Sequence, residues 1–181
     1  MATIIDLLRS RSRAAWLSLH GIRIGPGSHF GRNVRVTRGF RDGRNGSVRL
    51  GAGTDLQIGA VLDAWGGKII LGNRVFVGPY AVVYGQGGVE IGDRTLISMH
   101  CRILSSNHGL PAPGKPIRDE PDELLPTRIG CDVWLGAGLT VLGGVTIGDG
   151  CVVGAGAVVT ESLPANSVAV GVPAKVVRHR T

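Results

Sequence analysis

From Ile91 the chain reads IGDRTL ISMHCR ILSSNH, and after an interruption it resumes at Ile129 as IGCDVW LGAGLT VLGGVT IGDGCV VGAGAV VTESLP. Ile, Leu or Val opens every one of these hexads, and the fifth position is mostly small or β-branched. A period of six fits neither the helical period of 3.6 nor the strand period of 2. It predicts one short strand and one turn per hexad, with three hexads closing a triangular coil. Strands of successive coils would then stack about 4.8 Å apart and bury the opening residues in one continuous column.

The repeat extends upstream with insertions, in coils that begin at Leu71 and Leu50 and in weaker hexads that begin at Ile24 and Phe30. We therefore predict a single β-helix domain over residues 21–170. The segment 109–128 lacks the repeat and is rich in Pro and charge, so it is predicted to leave the stack at a corner as one long protruding loop.

The two ends differ from the repeat. In residues 1–20, Ile4, Leu8, Ala15 and Leu19 lie near helical spacing, with arginines between them. We expect a short N-terminal helix that caps the first coil, with contact to a membrane surface as the less favoured alternative. Residues 171–181 are predicted to form a basic C-terminal tail.

The composition bounds the class of protein. A length of 181 residues fits one domain, 43% apolar residues argue against disorder, and 4% aromatic residues exclude a core of large rings. The net charge of +7 favours an anionic partner.

Cys101, Cys131 and Cys151 are scattered and suit small apolar positions in a reduced interior, so we expect a cytoplasmic protein. The sequence shows neither a signal peptide nor a bilayer-spanning stretch.

Several segments together resemble a known enzyme family. The hexads, the segment SSNHGLPAPGKPI, the run IGCDVWLGAGLTVLGGVTIGDGCVVGAGAVV and the ending VAVGVPAKVVR are similar to hexapeptide-repeat acyltransferases. The closest group is that of the maltose and galactoside O-acetyltransferases and the sugar acetyltransferases of polysaccharide pathways. The resemblance implies an all-β fold, a left-handed parallel β-helix. It also implies a homotrimer with acetyl-CoA bound between neighbouring subunits.

His108 is the main candidate for catalysis. It closes its hexad directly before the long loop, at a corner where an outward side chain reaches the substrate. A neutral imidazole, with an ordinary pKa of about 6.5, accepts a proton at physiological pH. Acyl transfer to a hydroxyl needs such a base, because an alcohol is a poor nucleophile until it begins to lose its proton. In the family that the chain resembles, the matching histidine is the general base.

The resemblance further implies two residues close to the reacting thioester. The backbone N–H of Ala137 matches the donor that faces the thioester oxygen and would stabilise the developing oxyanion. Trp134 matches a position along the acyl channel, although a ring that covers the seam between coils explains it equally well.

Four more residues match cofactor contacts of the family. Ala155 and Thr160 correspond to contacts with the pantetheine and adenine parts of CoA. Lys175 and Arg178 correspond to basic residues that meet the CoA phosphates through charge-assisted hydrogen bonds. An ordinary solvated tail is the alternative explanation for this basic pair.

The chain also departs from the family pattern. Glu161 follows the threonine where members usually carry Lys, Gly78 stands at the position of an Asn near the acetyl group, and Gln86 replaces an acidic substrate contact. These differences weaken the inference of a maltose-like or galactoside-like acceptor. The acidic partner of His108 stays open among Asp119, Glu120, Asp122, Glu123, Glu90 and Asp93.

The sequence thus predicts an acetyl-CoA-dependent O-acetyltransferase of a sugar or a similar small hydroxylated acceptor. An N-acetyltransferase of an amino sugar is the nearest alternative. A zinc enzyme of the γ-carbonic-anhydrase kind would need three histidines, and His100 and His108 lack a convincing third, so no metal is expected. A catalytically silent scaffold is the non-enzymatic alternative. Nucleic-acid binding is disfavoured because aromatic residues are sparse among the arginines of residues 1–50.

Overall fold

The computed structural model describes the backbone of residues 4–181, and the side chains from Leu8 onward. Three parallel sheets form the walls of a triangular prism. The first wall contains β1 (Arg23–Ile24), β6 (Ser47–Leu50), β9 (Lys68–Leu71), β12 (Val89–Ile91), β17 (Thr127–Ile129) and β20 (Thr146–Ile147). The second contains β2 (His29–Phe30), β7 (Asp55–Leu56), β10 (Phe76–Val77), β13 (Leu96–Ile97), β18 (Trp134–Leu135), β21 (Val152–Val153), β23 (Ser167–Val170) and β24 (Lys175–His179). The third contains β3 (Arg35–Thr37), β8 (Val61–Asp63), β11 (Val82–Tyr84), β14 (Arg102–Ile103), β19 (Thr140–Val141) and β22 (Val158–Val159).

The strand register confirms the meaning of the hexads. In the second wall Ile97 lies beside Leu135, and Leu135 lies beside Val153; each of the three opens a hexad and is fully buried. The interior is therefore the predicted column of aliphatic side chains, and the fold is the predicted left-handed parallel β-helix. Cys101 and Cys151 are buried free thiols within this column.

Tight turns join the walls at the corners, and several require a left-handed backbone. Gly138 has a φ of 71°, a conformation that glycine adopts without steric cost. His100 adopts a φ of 57° at the same corner, and its ring stacks on Tyr80 of the preceding coil at 5.5 Å between centroids. The corner between the second and third walls is therefore a regular stack of turns.

The helix α1 (Ile4–Leu19) lies across the first coil, as a cap should. The side of α1 that packs on the coil is not the side that carries Leu8, Ala15 and Leu19. Leu17 is buried and the Ser10 hydroxyl accepts the N–H of Phe30 at 2.9 Å, whereas Leu8 and Leu19 are exposed. The helix is short and meets the prism along one line, so a single large side chain is enough to anchor it. No helix among the described residues is long and apolar enough to cross a membrane.

Two hairpins protrude from the prism. One joins β4 (Phe40–Arg41) to β5 (Arg44–Asn45), and the other joins β15 (Ser106–His108) to β16 (Asp122–Leu124). A 3₁₀ helix (Ile117–Asp119) lies inside the second excursion. This excursion ends before the predicted residue 128, because Thr127 and Arg128 already pair with β12.

The C-terminal residues are also more ordered than a tail. Residues 175–179 form β24, which runs antiparallel to β23 at the edge of the second wall. This strand pairs with an edge that would otherwise be open at the last coil.

The buried column predicts a clear difference between interior and exposed leucines. Leu135 is 0% exposed, whereas Leu110 in the long excursion is 83% exposed. We expect Leu135→Ala to lower the free energy of unfolding by about 2–5 kcal/mol, since it leaves a cavity in a packed core. Leu110→Ala should change it by less than about 0.5 kcal/mol. Urea denaturation at one fixed protein concentration measures both values, and equal midpoints for the two variants would contradict the interior assigned to the hexads.

Candidate active site

His108 faces an acidic partner across the second hairpin. It lies directly opposite Asp122 in the antiparallel register of β15 and β16. Its Nδ1 is 2.8 Å from the Asp122 carboxylate, and both side chains are partly exposed. Of the six acidic candidates, the structure therefore brings Asp122 to His108. Glu90 instead pairs with Lys68, and Asp93 accepts the backbone N–H of Asn73.

Asp122 is itself held by a network that comes from earlier coils. Arg41 Nη1 donates to its second carboxylate oxygen at 2.8 Å, and Gln86 Nε2 donates to the same oxygen at 2.7 Å. The amide oxygen of Gln86 accepts the Ser106 hydroxyl at 2.8 Å, and this glutamine is only 5% exposed. The carboxylate is therefore fixed on both sides, and it presents one oxygen to the imidazole.

Both ring nitrogens of His108 face hydrogen-bond acceptors. Nε2 is 2.7 Å from the carbonyl oxygen of Ile117, opposite the contact of Nδ1 with Asp122. The hydrogen bond to Asp122, followed by that to Ile117, raises the pKa of His108 above its ordinary value. In turn the hydrogen bond from His108, with the charge of Arg41, lowers the pKa of Asp122. As long as the Ile117 carbonyl accepts a hydrogen bond from Nε2, the structure favours the charged pair of imidazolium and carboxylate.

A cleft of about 780 Å³ opens at this pair. His108 and Asp122 line it together with Phe40, Trp65 and Arg118. Both aromatic side chains are exposed to solvent. The cleft has room for a small ring compound, and Phe40 and Trp65 provide two aromatic surfaces in the same cleft as His108.

The cleft is built along one corner of the prism. Arg41, Trp65, Gln86 and His108 follow the third-wall strands β3, β8, β11 and β14 of four successive coils. Stacking of the coils brings these four residues to the same corner of the prism. The first hairpin and the long excursion emerge from this same corner, and they enclose the cleft from both ends.

Sequence reasoning missed Arg41, Ser106 and the positioning role of Gln86. One local signal was available for the first of these. Asp42-Gly43 is a hairpin dipeptide, and both residues have positive φ, 50° and 76°, as a primed turn requires. Gln86 was interpreted as a lost acidic substrate contact, and the structure gives it a contact within the protein instead.

The residues matched to the thioester end of the cofactor lie at another corner, between the second and third walls. Ala137 and Ala155 occupy this corner in successive coils, and the Gly156 N–H donates to the Ala137 carbonyl at 2.8 Å. Within residues 4–181 the Ala137 N–H has no hydrogen-bond acceptor, so it is free to act as a donor. Trp134 lies just before this corner, half exposed, and its indole N–H donates to the Ser98 hydroxyl at 3.3 Å.

The remaining cofactor candidates lie near the C-terminal end of the prism. Thr160 is exposed directly after β22. Lys175 and Arg178 are exposed on β24, and Lys175 forms an ion pair with Glu161 at 3.3 Å. Glu161, which stands where family members usually carry Lys, thus pairs with the charge of Lys175, one of the two residues predicted to contact the CoA phosphates.

A single chain does not bring His108 and the matched cofactor residues together. His108 leaves one edge of the third wall, and Ala137 lies at the opposite edge in the adjacent coil. The wall between the two edges measures about 15 Å, the span of about five extended residues. His100 shares the corner of Ala137, so it does not form a pair with His108. No cluster of three or more His, Cys, Asp or Glu side chains suited to a metal occurs within residues 4–181.

Two family models match the chain in separate segments. The bacterial transferase hexapeptide model, with six repeats, matches residues 126–161. The hexapeptide repeat model of succinyl-transferase matches residues 68–99. Both segments are runs of regular coils on either side of the long excursion.

Two curated relatives show how far the similarity extends. The chain is 39% identical over 158 residues to the putative lipopolysaccharide biosynthesis O-acetyl transferase WbbJ of Escherichia coli, covering 82% of this chain and 81% of that protein. It is 41% identical over 114 residues to a probable acetyltransferase of Mycobacterium tuberculosis, covering 63% of this chain but only 38% of that protein. The first match therefore spans nearly both proteins, and the second spans a minor part of a longer one.

Solved structures share the fold. AntD, an N-acyltransferase from Bacillus cereus solved in complex with a dideoxy amino sugar nucleotide and coenzyme A, superposes with a TM-score of 0.78 at 22% identity, over 93% of this chain and 89% of that one. A galactoside acetyltransferase in complex with coenzyme A superposes with a TM-score of 0.64 at 25% identity, over 87% of this chain and 64% of that one.

The repeat, the coil architecture and the near full-length similarity to an O-acetyl transferase lead to one assignment. The chain belongs to the hexapeptide-repeat acetyltransferase family.

Proposed function

We propose that this protein transfers an acetyl group from acetyl-CoA to a hydroxyl of a sugar, with His108 as the general base. The observation that carries the proposal is the pair formed by His108 and Asp122, 2.8 Å apart, which lines an open cleft. A histidine oriented by a carboxylate is the arrangement that activates a hydroxyl nucleophile in acyl transfer. The relatives named as acetyltransferases support the same reaction.

In this mechanism each ring nitrogen of His108 has a separate task. Nδ1–H donates to Asp122, which leaves Nε2 as the nitrogen that accepts the proton. The acceptor hydroxyl would take the place that the Ile117 carbonyl occupies at Nε2. Asp122 then stabilises the imidazolium that forms.

Transfer follows in one direct sequence. As the hydroxyl oxygen attacks the thioester carbon, its proton moves to Nε2 of His108. The Ala137 N–H donates to the oxyanion of the tetrahedral intermediate. The C–S bond then breaks, the thiolate takes the proton from His108, and the ester and free CoA leave. Cys101 and Cys151 take no part, because burial raises the pKa of both thiols and keeps them protonated.

The form of the cleft supports a sugar acceptor. Phe40 and Trp65 offer apolar ring faces beside the base, and the cleft volume of about 780 Å³ accommodates a sugar unit. A hydroxyl acceptor is favoured over an amine because the relative that matches 82% of this chain is named as an O-acetyl transferase of lipopolysaccharide biosynthesis. A polysaccharide precursor in the cytoplasm is therefore the acceptor class that we propose.

The active unit would be a homotrimer. The base and the matched cofactor residues lie on opposite edges of the third wall in one chain, so a neighbouring subunit must supply the missing edge. Thr160, Lys175 and Arg178 would then contact the distal parts of CoA, and holding both substrates between subunits would provide proximity.

The first test replaces the base. His108→Ala should lower kcat by about 10²–10⁴-fold, the usual contribution of a positioned acid–base group. His29→Ala is a matched control, because His29 forms a similar pair with Asp55 at 2.9 Å on the second wall, away from the cleft. Free-thiol release from acetyl-CoA with glycoside and sugar-nucleotide acceptors measures both. Activity of His108→Ala within threefold of the control would contradict the assignment.

The second test uses pH. A protonated His108 cannot accept a proton, so kcat/KM should rise with pH and level off above a pKa that lies higher than the ordinary value. Asp122→Asn removes the main cause of the raised pKa of His108, so the rise of kcat/KM should move to lower pH. The plateau value of kcat/KM should also fall, because the imidazole ring loses the carboxylate that orients it. Asp119→Asn changes an exposed carboxylate on the same excursion and should leave the profile unchanged. A profile of Asp122→Asn with the wild-type midpoint would show that this pair does not control the base.

A further inference from the structure

The positive charge of the chain is concentrated at its N-terminal end. Residues 1–50 contain ten arginines, no lysine and two carboxylates, a net charge of +8. Residues 51–181 contain ten basic and eleven acidic residues, a net charge of −1. The whole excess therefore lies on α1, the first coil, the first hairpin and the start of the second coil.

The outward face of α1 is apolar and has no partner within the described residues. Leu8, Trp16 and Leu19 are 58%, 54% and 86% exposed, and at 100° per residue they fall within about 80° of one another around the helix. The buried Leu17 is on the opposite side, against the first coil. The Trp16 ring contacts the ring of His20, with 4.0 Å between centroids and 32° between the ring planes.

Five arginines of α1 and the first coil are exposed at the same end of the prism. Arg9 and Arg11 on α1 and Arg23, Arg32 and Arg35 on the first coil are exposed. No ion pair of the described residues includes any of these five. Exposed apolar side chains with charged residues at the same end of the molecule mark an interaction site.

We propose that this surface, formed by Leu8, Trp16 and Leu19 with the five free arginines, binds an anionic phospholipid bilayer. The leucines and the indole ring would enter the boundary between headgroups and acyl chains, and the guanidinium groups would meet lipid phosphates. Binding would place the prism with its first coil on the membrane and its C-terminal coil away from it.

Charge favours this partner over two others. A second copy of the same surface would bring its arginines against those of the first, and like charges in contact oppose association. A nucleic acid would satisfy the arginines but would leave Leu8 and Leu19 in water. An anionic bilayer provides phosphates for the arginines and an apolar region for Leu8, Trp16 and Leu19.

Co-sedimentation with vesicles tests the proposal. The full-length protein should pellet with phosphatidylcholine vesicles that contain about 30 mol % phosphatidylglycerol, and not with phosphatidylcholine alone. Trp16→Ser/Leu19→Ser and Arg9→Gln/Arg11→Gln should each lower the partition coefficient about tenfold or more. Their matched controls, Leu110→Ser/Val177→Ser and Lys115→Gln/Arg128→Gln, change equally exposed residues elsewhere and should bind as wild type does.

Sedimentation velocity and transfer to a soluble acceptor accompany each variant. For Trp16→Ser/Leu19→Ser and Arg9→Gln/Arg11→Gln we expect loss of vesicle binding, with unchanged assembly and unchanged acetyl transfer. Equal binding to neutral vesicles, or full binding by Trp16→Ser/Leu19→Ser, would overturn the proposal. So would a smaller assembly in that variant, which would assign the stripe to a contact between copies. Retention on a DNA oligonucleotide without retention on anionic vesicles would assign the arginines to nucleic acid.

Discussion

The parallel pairing of each coil with the next is the constraint on which the rest of the structure depends. Every strand donates to and accepts from its neighbours in the stack, so a residue inserted within a wall would break the register of all later coils. Insertions are therefore confined to corners. Both protruding hairpins emerge from the corner between the third and first walls, although 60 or more residues separate them in sequence. The constraint that builds the core thus also concentrates polar and aromatic side chains along one edge.

The hexads made the fold predictable, since they report the repeated environment of each position directly. His108 could be singled out in the sequence for a related reason: it is a titratable residue at the point where the repeat stops. Its partner was not, because the choice of Asp122 among six acids depends on the register of the hairpin between β15 and β16. The sequence shows that a loop leaves the stack, but not that its two ends pair with His108 opposite Asp122.

The same limit applies to the residues that support the pair. Gln86 and Arg41 are 36 and 81 residues from Asp122 along the chain, and stacking alone brings them to its second oxygen. A buried glutamine in a repeat position carries no catalytic signature by itself. The packed face of α1 could not be predicted, because the apolar spacing of Leu8, Ala15 and Leu19 matches either a buried or an exposed stripe. Only the contact of Leu17 and Ser10 with the first coil decides between the two.

The central claim is that the base and the acyl donor meet between subunits, and a mixing experiment tests it most directly. His108→Ala subunits lack the base, and Ala155→Trp subunits carry a bulky ring on the corner matched to the cofactor. Each variant alone should be inactive. In randomly mixed trimers about a quarter of all sites would combine an intact base with an intact cofactor corner, so about a quarter of the wild-type activity should return. No recovery in mixed trimers of confirmed composition would contradict the shared site, and would require each chain to hold both halves itself.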